Sequence, residues 1–209
     1  KWAKSTIEDI IRIQRGGLLS FGFLLALYFT TNGFMTMMRG FNASYHIAET
    51  RSPLQQRITA TVLTFLISVL VVLSTTIILI SESATHFLVQ HHILKSKTQV
   101  TMLLLGKWAV VLGLFFFAIS FLYYYAPAVK KRWRFISAGS TFATLLSILF
   151  STGFAFFVNN FGRYNTVYGS IGTIIVIMLW IYFNSLSLIL GFELNASIDN
   201  AKKKIRKAF

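Results

Sequence analysis

The sequence predicts an all-α protein, a polytopic transmembrane helical bundle with five membrane helices, on three observations. The first is a run of 26 residues, 167–192, without one Asp, Glu, Lys or Arg. About twenty apolar residues cross a ~30 Å hydrocarbon core as a helix, so this run spans a bilayer with room for tilt. The second is composition: 55% hydrophobic and only 12% charged residues, with a mean hydropathy of +0.66, which suits several membrane spans better than one soluble core. The third is repetition, because the runs 16–38, 58–81, 108–129 and 135–160 are equally free of charge. In hydrocarbon the backbone must satisfy its own hydrogen bonds, and continuous runs, unlike alternating ones, select helices over a barrel.

Taken in order, the chain reads as a single transmembrane domain, 1–209. Residues 1–15 form an amphipathic arm, with Ile7, Ile10 and Ile11 at helical spacing beside Glu8, Asp9 and Arg12. Helices follow at 16–38 and 58–81. The third is placed at 102–127, because apolar residues continue upstream of Lys107. The fourth and fifth are 135–160 and 167–192, followed by a basic tail, 196–209. The two prolines, Pro53 and Pro127, fall near proposed span ends, where a missing N–H is tolerated.

Charge sets the orientation. One side carries Arg39, Arg51, Arg57, Lys130, Lys131, Arg132, Arg134 and the tail's Lys202, Lys203, Lys204, Arg206 and Lys207, twelve in all; the other carries eight. The richer side is expected to be cytoplasmic, with the C-terminus inside and the arm outside. An external arm holding four basic residues fits this rule poorly, and an earlier helix ahead of Lys1 would explain it.

Several chemistries are excluded or weakened. There is no cysteine, hence no disulfide, thiolate metal site or thiol nucleophile. His86, His91 and His92 share one external loop, but zinc needs three or four converging ligands and His91 and His92 point apart. No nucleophile elbow, zinc-protease motif or phosphate-binding loop occurs, and the only aspartates are Asp9 and Asp199, too few to hold Mg²⁺ in a nuclease centre. The cluster Lys130, Lys131, Arg132, Trp133 and Arg134 reads as an inner-face anchor, not a nucleic-acid surface. No cofactor, metal or nucleic acid is expected.

Two helices carry polar stripes. At 100° per residue, Gly169, Thr173, Ile177, Trp180, Asn184, Ser187, Gly191 and Asn195 fall within roughly 80° of one another. On the preceding helix Ser137, Ser140, Thr141, Thr144, Ser147, Ser151 and Ala155 share a face. Such stripes are either packing seams between closely approaching helices or the lining of a polar path. In the first span Tyr28, Asn32, Thr36 and Arg39 share a face, and an Asn in hydrocarbon is expensive unless paired. Arg39, Arg51, Asn42 and Tyr45 are expected to build a basic pocket for an anionic headgroup at the cytoplasmic side. Glu193, placed where the last span ends, is expected to need a basic partner against the helix dipole, from Arg39, Arg51 or Arg134. Lys107 either snorkels or pairs with Glu82.

Tyr164, Asn165, Thr166, Val167, Tyr168, Gly169, Ser170, Ile171 and Gly172, then Leu179, Trp180, Ile181 and Tyr182, then Leu190 through Glu193, Leu194, Asn195 and Ala196, resemble the C-terminal signature of the YihY/BrkB family. Phe41, Asn42, Ala43, Ser44 and Tyr45 with Glu49, Thr50 and Arg51 resemble its first cytoplasmic loop, and Tyr125, Ala126 and Pro127 its exit from a middle helix. The resemblance covers essentially the whole chain. It implies a bacterial inner-membrane protein of six helices with both termini cytoplasmic, so a first helix would precede the five found here. The family carries a historical ribonuclease label, and some members are suspected of moving lipids.

The expected function is therefore non-enzymatic: binding or transport of a lipid or other amphiphilic, anionic molecule. Candidate binding residues are Asn32, Arg39, Asn42, Tyr45, Arg51, Thr144, Ser147, Tyr168, Asn184, Ser187, Glu193 and Asn195. The expected partners are membrane lipids. The alternative is a structural or assembly protein whose stripes are seams in a homo-oligomer, and ribonuclease activity is a remote third.

Overall fold

The computed structural model describes residues 16–45, 47–91, 96–128, 134–160 and 164–208. The arm 1–15, most of the basic cluster at 129–133, His92 and the Tyr168 side chain lie outside the described residues. Within them the fold is all-helical: α1 (Gly16–Ser44), α2 (Pro53–Gln90), α3 (Lys97–Tyr125), α4 (Ala138–Asn160) and α5 (Tyr164–Ala208). All five are long and apolar enough to cross a membrane.

The helices outrun the apolar stretches that announce them. Charge marks where hydrocarbon ends, whereas local hydrogen bonding decides where a helix begins. Ser52 Oγ accepts from Gln55 N while Gln55 Oε1 accepts from Ser52 N, at 3.3 and 3.0 Å, a reciprocal cap that starts α2 with Pro53 in its first turn. Ser96 and Gln99 form the same box before α3. Ser137 and Ser140 exchange similar bonds before α4. Arg57, outside the 58–81 run, therefore stands one turn inside α2.

Beyond Phe192, α5 meets no proline or glycine, and Ala, Lys, Ile and Arg keep it helical. The basic tail is thus the last part of a 45-residue helix. At 1.5 Å per residue this helix rises about 68 Å, roughly twice the hydrocarbon thickness.

Each helix packs on its chain neighbour, most extensively α4 on α5, and α1 closes the ring against α5. The packed core sits at one end of that ring, beside the loops 45–52 and 126–137. It comprises Met38, Phe41, Ala60, Leu63, Ile119, Leu122, Tyr123, Ala126, Ala143 and Phe192. Phe41 stacks on Phe192 at 4.5 Å between centroids, and Tyr123 sets its edge against both rings at 5.7 and 5.9 Å. Among the side chains described, none from 65 to 118 is buried, nor any from 148 to 159 or from 173 to 186. Buried side chains are thus gathered at one end of the bundle, and toward the other end the described side chains are half-buried or exposed.

Candidate functional site

The buried end is tied by a polar network across three elements. Arg51 donates from Nε and Nη2 to the two oxygens of Glu49, both at 2.8 Å, and from Nη2 to the Ala126 carbonyl at 2.9 Å. Asn42 donates to Glu49 Oε2 at 2.7 Å and accepts from Ala128 N at 2.9 Å. The loop 45–52 is thereby clasped to α1 and to the exit of α3. Hydrogen bonds from the Arg51 guanidinium hold the Glu49 carboxyl below the usual carboxylate range, against the opposing effect of burial. Arg51 and Asn42, expected in a headgroup pocket, are thus engaged by the protein itself.

A second group joins α1 to the extension of α5. Tyr45 OH lies 2.9 Å from Asp199 Oδ2 and 3.0 Å from Asn200 Oδ1, and Lys203 donates to the phenol oxygen at 3.2 Å while pairing with Asp199 at 2.7 Å. Burial pushes the Tyr45 phenol up. Ser44 Oγ donates to Glu193 Oε1 at 2.8 Å, and no Lys or Arg among the described residues pairs with Glu193. The expected basic partner rested on Glu193 standing at a helix C-terminus. With α5 running on to Ala208, Glu193 is mid-helix and the dipole penalty does not apply. Arg39 is exposed. Lys107 rests 5.6 Å from the Trp108 ring centroid.

The two stripes meet, and they divide. At their inner part α4 and α5 cross so closely that a Cβ on Gly191 would lie 2.6 Å from Gly139 O, Ala143 Cβ and Tyr123 Oη. Asn195 accepts from Gly139 N and donates to Ser137 Oγ, both at 2.8 Å, so it satisfies an orphan first-turn donor of α4. Ser187 and Thr144 are buried and donate to their own i−4 carbonyls, Phe183 O and Ser140 O. Ser147 is buried beside them. This part is a seam, as small residues make between membrane helices. Farther along, Trp180 Nε1 reaches Ser151 Oγ at 3.3 Å and Asn184 donates to Trp180 O at 2.9 Å, in the half where the described side chains are half-buried or exposed.

Asn32 is paired across α1 and α2 by a residue absent from the expected site. Arg57 Nη1 donates to Asn32 Oδ1 at 2.6 Å and to Thr31 Oγ1 at 3.3 Å, and its guanidinium carbon lies 5.1 Å from the Tyr28 ring centroid. Sequence reasoning missed Arg57 because the span was begun after the last charge. The Ser52 to Gln55 capping pattern was the signal that would have placed it inside the helix. An apolar depression lined by Leu79, Ile80, Ser83, Ala84 and Phe87 lies toward the other end of α2.

The chain matches the family described as Virulence factor BrkB over residues 1–209. It is 34% identical over 205 residues to the ribonuclease-like protein YfkH of Bacillus subtilis, an alignment covering 96% of this chain and 74% of that one. A UPF0761 membrane protein of Tolumonas auensis is 30% identical over 121 residues, 58% of this chain and 39% of its own length. Another, from Pseudoalteromonas translucida, is 33% identical over 78 residues, 37% of this chain and 26% of its own. No solved structure matches the chain. With five helices able to cross a bilayer and a family match along its whole length, the chain is a membrane protein belonging to the BrkB family.

Proposed function

We propose that the protein is a non-catalytic bacterial inner-membrane protein, C-terminus cytoplasmic, that binds and moves a membrane lipid or a similar amphiphile with an anionic head. The observation that carries this reading is the uneven packing of the bundle. One end is sealed by the aromatic core and the Glu49–Arg51–Asn42 clasp, while the remaining height of five long helices has almost no buried position among the described residues. An acyl chain can lie against the exposed apolar side chains of that half. The polar groups Asn184, Trp180 and Ser151 lie in that half, where a purely anchoring helix would need none.

The test is lipid movement by the purified chain in proteoliposomes containing a fluorescent phosphatidylglycerol, read by quenching with an impermeant reductant. A rise in the quenched fraction over protein-free vesicles is expected. No rise, together with native mass spectra showing lipid-free oligomers, would instead favour the structural or assembly role. Orientation is tested separately: the chain is cysteine-free, so a single cysteine replacing Ser197 reports, by impermeant maleimide labelling of intact spheroplasts, which side α5 leaves from. Protection until lysis is expected.

A further inference from the structure

Arg57 is a cation inside a candidate membrane span whose contacts are all neutral. Both it and Asn32 fall within spans, Pro53–Thr85 and Leu19–Ser44. Its shortest hydrogen bonds leave from Nη1, to Asn32 Oδ1, Thr31 Oγ1 and Met35 Sδ at 2.6, 3.3 and 3.6 Å, and its guanidinium also interacts with the Tyr28 hydroxyl. Nε and Nη2 make no hydrogen bond with the described residues, so one edge of the guanidinium fork has free donors. A charge at membrane depth is costly unless paired, and Arg is the residue whose planar fork matches a phosphate or carboxylate.

The chain offers this fork no counterion among its described residues. Of the acidic ones, Glu49 is taken by Arg51 and Asp199 by Lys203. Glu193 accepts from Ser44, twelve residues and about 18 Å of helix rise along α1 from Asn32. Glu82 stands twenty-five residues along α2, about 38 Å of helix rise from Arg57. The surroundings are open and apolar: Tyr28 is 52% exposed, Ile58 54% and Leu54 70%.

We propose that Arg57, fixed by Asn32 and Thr31 and flanked by the Tyr28 ring, binds the phosphate of a membrane phospholipid on the outer face of the α1–α2 pair. Asn32 and Thr31 hold Nη1 and leave the Nε and Nη2 edge to the phosphate. The phosphate takes that edge, and the acyl chains lie along the exposed apolar residues of α1 and α2. The site deepens the lipid reading above and rests on it.

The experiment is phenylglyoxal modification of the full chain in detergent, with the extent at Arg57 read by peptide mass spectrometry. The probes are dioleoyl phosphatidylglycerol, dioleoylglycerol and inorganic phosphate. Phosphatidylglycerol is expected to slow modification of Arg57 at least fivefold, with no protection by dioleoylglycerol and unchanged reactivity at Arg134. Equal protection by dioleoylglycerol, or none by phosphatidylglycerol, overturns the phosphate assignment; equal protection by inorganic phosphate overturns the lipid as its source. In native mass spectra, Arg57→Gln is expected to lose phosphatidylglycerol adducts that Arg57→Lys partly retains and Arg134→Gln keeps. Lipid movement by the unaltered chain without protection of Arg57 removes this site and leaves the functional reading standing. Neither movement nor protection removes both.

Discussion

Replacing Gly191 with alanine puts a methyl carbon 2.6 Å from the Gly139 carbonyl oxygen, the Ala143 methyl and the Tyr123 hydroxyl. Restoring an ordinary contact of 3.4 Å requires α4 and α5 to part by about 0.8 Å. Two of the three neighbours are held firmly, one being backbone and the other a β-carbon, so a rotamer change relieves little. Overpacking of this kind costs about 1–3 kcal/mol. The same displacement stretches the Asn195 bond to Gly139 N, now 2.8 Å, and an interhelical bond in a membrane contributes about 0.6 kcal/mol. Alanine's better helix propensity returns up to about 1 kcal/mol. The net expectation is destabilisation by about 1–3 kcal/mol. Reversible unfolding in mixed micelles, followed by circular dichroism, measures it. Gly153→Ala is the control: nothing lies within 4 Å of its Cβ, so it is expected to be neutral or slightly stabilising. If the two variants unfold together, the close crossing of α4 and α5 is wrong.

Asn195→Ala leaves the buried Gly139 N–H without its acceptor and is expected to cost about 1–3 kcal/mol in the same assay; Asn195→Asp, which keeps an acceptor, should lose less. Phe41→Ala removes the ring between Tyr123 and Phe192 and is expected to cost about 3–5 kcal/mol, read as a lower unfolding midpoint. Glu49 has a folded pKa below its unfolded value, so its contribution is fully present above about pH 4.3 and is lost as pH falls through the folded value. Unfolding midpoints taken downward from pH 6 should therefore show an acid branch that Glu49→Gln flattens, while that variant is weaker by about 1–3 kcal/mol at neutral pH because Arg51 loses its charged acceptor.

The amount legible in sequence differed from residue to residue. The spans, their number and their helical nature followed from charge-free runs, since the bilayer leaves the backbone no other solution. The pairing of the α4 and α5 stripes was also visible, because hairpin neighbours carrying small residues on one face tend to meet along it. Helix ends were misplaced where hydropathy was read and capping was not, and that displaced Arg57 from a helix to a loop. Glu193 was given a partner by a dipole argument that depended on where α5 stops. Arg51 was assigned to ligand, although Glu49 two residues earlier offered it a bidentate acceptor.

Sequence by itself determined that this chain crosses a membrane as helices and which families of contact its side chains could make. Both are local properties: hydropathy sums along the chain, and helical periodicity repeats every few residues. The tertiary structure decided which contact each polar residue is spent on. Ser187, Thr144 and Asn195 belong to a seam, Asn42 and Arg51 to a clasp, and Arg57 to a pairing with Asn32 across α1 and α2. A hydrogen bond needs a specific partner within about 3 Å, and partners 25 to 154 positions apart, such as Arg57 with Asn32 and Tyr45 with Asp199, meet only when the helices are packed.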